Sequence, residues 1–303
     1  MKASKSWIAL GSLLLLAACQ PKSEDVAPAE IPERLSLLPE ARGLMLEDTA
    51  HFQVQFFDRL GNQLPTPQGL LWRVEDPAVA QISQEGIVKA LATGQTRIKA
   101  EYMNAEATAL LTVVSSLSEV ATVEVSPAVR EFDLNEEVLL QATARNVLGE
   151  ILSTEAASWE SAAPDIVSIN QEGTATALAY GSTSVKARIE GILSSPAAMQ
   201  VVRRGQFRNG SVGTATLKIE NGILRLQTSS NFVSSSGAPD LRIYLGNEGS
   251  NVNGALELAT LHQRTGGQTW NVPASVNITQ YRYVLIWCKQ FGGLYGVADL
   301  ETP

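Results

Sequence analysis

The sequence predicts an all-β chain: two tandem β-sandwiches of one kind, followed by a third, different β-sandwich or barrel-like domain. Three observations predict it. A module recurs at constant spacing, apolar and polar residues alternate with period two between glycine-marked turns, and the texture changes after residue 203, where the repeat stops and hairpin signals begin. No stretch shows helical periodicity.

The chain opens on "MKASKSWIALGSLLLLAAC", in which Lys2 and Lys5 precede a short apolar run, Trp7 to Leu16. The run is too short to span a bilayer, so residues 1–18 read as a processing signal. Leu16-Ala17-Ala18-Cys19 resembles the bacterial lipoprotein box, which implies lipidation of Cys19 and a membrane held through that anchor. Residues 19–33, "CQPKSEDVAPAEIPE", hold little to bury and read as a flexible tether. Acidic residues close behind the cysteine resemble sorting signals that carry lipoproteins outward in some two-membrane bacteria. The expected location is therefore the cell envelope, at the outer membrane on its periplasmic or surface face.

The repeat comes next. "WRVEDPAVAQISQEGIVKALATGQTRIKA" from Trp72 and "WESAAPDIVSINQEGTATALAYGSTSVKA" from Trp159 align without a gap at an offset of 87, with 13 of 29 positions identical. The run His51-Phe52-Gln53-Val54-Gln55-Phe56 alternates like a half-buried strand, and Gly61-Asn62, Gly86 and Gly94 fall where turns need positive φ. Trp72 and Trp159 are expected to pin two sheets together as large core aromatics. The Trp strand, "DPAVAQIS" or "PDIVSIN", a glycine, "ALATG" or "ALAYG" and a closing "IKA" or "VKA" resemble bacterial Ig-like domains of group 2 (BIG2) at residues 34–115 and 121–203. That family implies spacers and adhesive units at cell surfaces. His51 is a lone strand histidine and reads as a surface or packing residue.

Residues 204–303 carry different signals. Asn221-Gly222 marks a hairpin turn, Pro239-Asp240 a turn feeding the strand "LRIYLG", and Gly266-Gly267 and Gly292-Gly293 two further hairpin turns. "GQFRNGSVGTATLKIENG", Asn231-Phe232, "APDLRIYLG", "GGQTWNVP" and "YRYVLIWCKQFGGLYGVADL" together resemble the DM-13 domain, a module that accompanies DOMON domains and is proposed to act in electron transfer. The resemblance implies a redox role for Cys288, as a bare thiol or as a ligand to a group such as haem.

The residues themselves leave that role open. Period two places Tyr283, Leu285 and Trp287 on one face and Val284, Ile286 and Cys288 on the other, both apolar, so the strand is expected to be covered on both sides. A small core cysteine fits equally well. Lys289 points away from Cys288 and Arg282 lies six residues off, so no local cation activates the thiol. His262, a candidate second ligand, shares its strand face with Thr260 and Arg264, which indicates solvent. Asp240 could orient a ligand or a cation, or bond its own backbone at the turn. Cys288 and His262 supply at most two zinc ligands, and no Cys-x-x-Cys-His is present for covalent haem attachment.

Charge narrows the partners. Residues 19–203 hold 13 Lys and Arg against 25 Asp and Glu, whereas residues 204–303 hold 8 against 6. Neither part suggests a nucleic-acid surface. No nucleophile elbow, metal-spaced histidines or phosphate-binding glycine loop points to an enzyme. With Cys19 lipidated, Cys288 has no cysteine in the chain to pair with, and stability must come from packed cores. The expectation is an anchored Ig-like stalk displaying a redox domain centred on Cys288. The alternative is an adhesion or display protein that binds a surface protein or glycan, with Cys288 as packing.

Overall fold

The computed structural model describes residues 34–58, 62–152, 156–234, 237–261 and 263–301. The expected signal, Cys19, the tether and His262 lie outside them. Among the described residues every regular element is a β-strand, and no helix is long and apolar enough to cross a membrane.

The first module runs from strand Arg34–Leu38 to strand Ala105–Val114 and folds three small sheets around one core containing Leu37, Phe52, Trp72, Val88, Ile98 and Leu111. Alternation decides which face is buried: strand Gly94–Tyr102 turns Thr96, Ile98 and Ala100 inward. Strand Ala41–Met45 runs parallel to the module's last strand, and the other pairings are antiparallel. The second module repeats the plan. Leu71–Val74, Ala80–Ile82, Ile87–Ala90 and Gly94–Tyr102 recur 87 residues later as Ser158–Ser161, Val167–Ile169, Thr174–Ala177 and Gly181–Ile189. Val129–Asp133 lies parallel to Ala197–Arg208, as Ala41–Met45 does to Ala105–Val114. Both modules are Ig-like β-sandwiches.

Two of the thirteen identical positions of the repeat, the tryptophan and the glycine of Gln-Glu-Gly, touch each other. Gly86 and Gly173 sit at φ +79° and +86°, in the left-handed region open to glycine. A Cβ on Gly86 would lie 2.7 Å from the Phe52 carbonyl oxygen and 2.8 Å from the Trp72 ring. On Gly173 it would lie 2.8 Å from the Leu140 oxygen and 3.0 Å from the Trp159 ring. Each tryptophan thus stacks against a turn that has no side chain. His51 is exposed, its ring Nε2 2.9 Å from the Glu85 carbonyl oxygen.

The third domain is a different all-β unit. Its strands order as Leu256–Thr260, Leu241–Gly246, Tyr283–Cys288, Gly293–Asp299, Ala197–Arg208, Thr214–Glu220, Ile223–Thr228 and Thr269–Asn271. The sheet folds over on itself at Ala197–Arg208, whose residues 203–206 pair with one layer and 207–208 with the other. Gly205 marks the change: a Cβ there would lie 2.2 Å from the Asp299 carbonyl oxygen. Leu217, Leu226, Phe232, Ile243, Leu245 and Ile286 fill the space between the layers.

Asn221 and Gly222, at φ +51° and +76°, make the expected hairpin turn, and Gly292, at φ +62°, closes the one after Cys288. Gly266-Gly267 differs from expectation. The strands on either side of it, Leu256–Thr260 and Thr269–Asn271, pair with Leu241–Gly246 and Ile223–Thr228, not with each other. The glycines lie in a crossing between layers, where a compact bend is needed just as it is in a hairpin, so composition alone does not separate the two.

Gly173→Ala is expected to cost the second module about 2 kcal/mol or more, from positive φ plus the collision with Leu140 and Trp159. Denaturant unfolding followed by tryptophan fluorescence checks this, and an unchanged midpoint would remove the Trp–Gly contact as the reason for the repeat's constancy.

Candidate functional site

The strand Tyr283–Cys288 separates two environments. Its inner face puts Val284, Ile286 and Cys288 into the domain core, where Cys288 is 0% exposed. Cys288 stands opposite Leu241 on one side and Gly293 on the other. It is a free thiol, closed on both flanks by backbone pairing and inward by packed side chains. The two cations nearest in sequence are engaged elsewhere: Lys289 Nζ donates to Glu257 at 3.0 Å, and Arg282 makes a fork with Asp299 whose shortest contact is 2.9 Å. A thiolate ligand to haem must present its sulfur to a flat macrocycle in an open pocket. The packed surroundings of Cys288 leave no face for one, so the residues present do not fit haem at this position. Among the described residues no group of three or more His, Cys, Asp or Glu converges to hold a metal ion.

The outer face carries the polar chemistry. Trp287 is half-buried there, in register with Arg242 and Leu294, and packs with Tyr244, Leu285, Val297 and Tyr283 in a second, smaller apolar cluster. Beside it lies a connected ionic network. Arg242 Nε donates to Asp240 Oδ1 at 2.6 Å and Arg242 Nη1 to Glu257 Oε1 at 3.4 Å. The Tyr244 hydroxyl donates to Glu257 Oε2 at 2.8 Å, the oxygen that Lys289 also reaches. Asp240 therefore orients Arg242, and its backbone carbonyl accepts from Lys289 N at 2.9 Å.

Electrostatics follow from this geometry. Burial, then the bond to Glu257, push the Tyr244 hydroxyl up to about 12. Burial alone would raise Glu257, but Lys289 and Tyr244 hold it below the usual carboxylate range. The bond from Arg282 holds Asp299, otherwise raised by burial, below its ordinary value. Arg282 also stacks over the Tyr283 ring at 5.2 Å.

The structure thus sets Cys288 and Trp287 back to back across one strand and puts Asp240 near Lys289, on the side of Trp287. Tyr244, Glu257 and Arg242 escaped sequence reasoning. Alternation in "DLRIYLG" puts Arg242 and Tyr244 on one face, but the carboxylate that joins them comes from a neighbouring strand, and one sequence carries no sign of that pairing.

Fold and site together define a modular all-β chain: two Ig-like sandwiches carrying a distinct β domain with a buried thiol and an aromatic–ionic outer face. That last domain is a DM13 domain, since residues 206–300 match the family described as Electron transfer DM13. No curated protein matches the chain. Domains 4 and 5 of the S-layer protein SbsC are similar over 57% of this chain and 98% of that one, at 16% identity and a TM-score of 0.25. The Escherichia coli adhesin FdeC is similar over 88% and 96%, at 11% identity and a TM-score of 0.22. Human protocadherin-24 EC1-2 is similar over 55% and 97%, at 11% identity and a TM-score of 0.20. Scores this low carry no argument about function.

Tyr244 gives a pH signature. Its folded value, about 12, lies above the ordinary value of 10.0, so its stabilising share is complete below about pH 10 and is lost as pH rises through about 12. Tyr244→Phe is expected to flatten that alkaline limb in unfolding measured from pH 8 to 12. An unaltered limb would show that the phenol does not titrate late.

Proposed function

We propose that this is a lipid-anchored protein of the cell envelope, held by Cys19, whose Ig-like modules display a DM13 domain that acts in electron transfer. The observation that carries the reading is the family match over residues 206–300. The order of basic start, short apolar run and "LAAC" supports the anchor, and the acidic excess of residues 19–203 supports a solvated stalk. In this reading the redox centre is Cys288. The chain's other cysteine is Cys19, so a dithiol–disulfide couple within the chain is ruled out once Cys19 is lipidated. A disulfide at Cys288 then requires a thiol from another molecule and a local opening of the core.

One observation favours a second reading. Cys288 is fully buried in an apolar core with its neighbouring cations committed elsewhere, the setting of a packing cysteine. The DM13 domain then serves display or binding of a surface protein or glycan, or conducts electrons through another group.

Voltammetry of the full chain on an electrode, wild type against Cys288→Ala, separates the two. Alanine keeps the site apolar and is expected to cost about 1 kcal/mol of stability. Under the cysteine-centred reading the current response vanishes in the variant. A response of equal size in a folded variant moves the centre away from Cys288, and no response in either chain leaves display as the function. For the anchor, Cys19→Ala is expected to shift the protein from the detergent-rich to the aqueous phase in detergent partitioning. Unchanged partitioning would overturn lipidation at Cys19.

A further inference from the structure

The second Ig-like module and the DM13 domain share a strand. Ala197–Arg208 is a single strand of 12 residues. Its residues 197–201 pair with Gly181–Val185, and residues 198–202 lie parallel to Val129–Asp133, all within the second module. Residues 203–206 pair with 214–217 and residues 207–208 with 297–298, all within the DM13 domain. The last pair of one domain is Val202 and the first pair of the other is Arg203, so no residue stands between them. The junction between the two Ig-like modules has no shared strand: residues 115–121 separate strand Ala105–Val114 from strand Thr122–Ser126, and the modules meet through contacts alone, Gln95 Nε2 donating to the Leu193 carbonyl oxygen at 3.0 Å and Gly43 lying against Ala121. Hinge motion needs residues whose φ and ψ are free to change, and a paired strand has none.

Side chains close the same junction. Tyr180, from the second module, packs against the cores of both domains. Arg204 Nε donates to Asp133 Oδ1 at 2.6 Å, Lys218 Nζ to Glu131 Oε1 at 3.4 Å, and Gln200 Nε2 to the Ile219 carbonyl oxygen at 2.8 Å. Arg203 goes further. It is 5% exposed, and its Nη1 donates to the Ile278 and Tyr281 carbonyl oxygens at 2.6 and 2.8 Å. Those carbonyls belong to the segment that leads into Tyr283–Cys288. A buried guanidinium from outside the family match, which begins at residue 206, thus holds an approach to that strand. Without it, buried carbonyls lose their donor, which is costly in a low-dielectric interior.

We propose that residues 122–301 form one cooperative folding unit, in which the second Ig-like module is an obligate structural part of the DM13 domain and the first module opens independently. The proposal stands whether or not the DM13 domain carries electrons. Strand Ala197–Arg208 cannot leave one core without leaving the other, so each domain's most protected amides exchange through the same opening.

Hydrogen exchange read by mass spectrometry on the full chain tests this. Phe132→Leu thins the core of the second module alone, where Phe132 is fully buried. The slowest amides of Thr174–Ala177 and Gly181–Ile189 are expected to speed up on the order of tenfold, and those of Thr214–Glu220, Ile223–Thr228 and Tyr283–Cys288 by the same factor. Those of Gly94–Tyr102 stay unchanged. The converse substitution, Ile243→Val in the DM13 core, is expected to speed up the second module equally. If Phe132→Leu does not fold, Ile189→Val, a milder cut in the same core, takes its place. Acceleration confined to the mutated domain would overturn the proposal, and acceleration of all three domains would overturn the independence of the first module.

Discussion

Everything after the first module depends on the backbone pairing of one strand, Ala197–Arg208. It supplies an interior strand of an Ig-like sandwich, paired on both sides, and, beyond Val202, the fold line of the DM13 sheet. Two layers can share a strand only where the chain passes from one to the other without collision. Gly205 meets that condition because it has no side chain to place against the Asp299 backbone. The same stretch carries Arg203 inward and Arg204 outward, so its alternation sends one cation to buried carbonyls and the next to a carboxylate on the neighbouring module.

The strand Tyr283–Cys288 lies two places further along the same sheet and inherits two unlike faces. The inner face is uniformly apolar, and dispersion and burial of Val284, Ile286 and Cys288 hold it shut. The outer face mixes aromatic rings with an ionic network in which Glu257 receives both Tyr244 and Lys289. Burial would disfavour a lone carboxylate there, and its donors reverse that preference. Thiol and charge are therefore separated by one backbone thickness: the Cys288 thiol is dry, and the charges of Asp240, Arg242, Glu257 and Lys289 lie on the wetter side.

Much of this fold could be read from the chain. The offset of 87 marks equivalent strands residue for residue, because period-two patterning and glycine turns are local properties that a duplicated segment keeps. The two faces of Tyr283–Cys288 were legible for the same reason. Layer assignment was not: Gly266-Gly267 announces a bend but does not say whether the chain turns back beside itself or crosses to another sheet. The partners of Glu257 and Arg203 were hidden too, since each joins residues from distant parts of the chain. Asp240 was legible as a turn residue, while its engagement with Arg242 depends on where that side chain folds back.

In each Ig-like module an early strand lies parallel to the last one, Ala41–Met45 beside residues 110–114 and Val129–Asp133 beside residues 198–202. The chain reaches each pair through a preceding strand, Arg34–Leu38 or Thr122–Ser126, and leaves from the far end of the pair. Tension applied along the chain therefore pulls the two strands past each other lengthwise, and the bonds between them share the load together instead of parting one at a time like a zipper. An Ig-like module built this way resists extension with the combined strength of a whole strand pair.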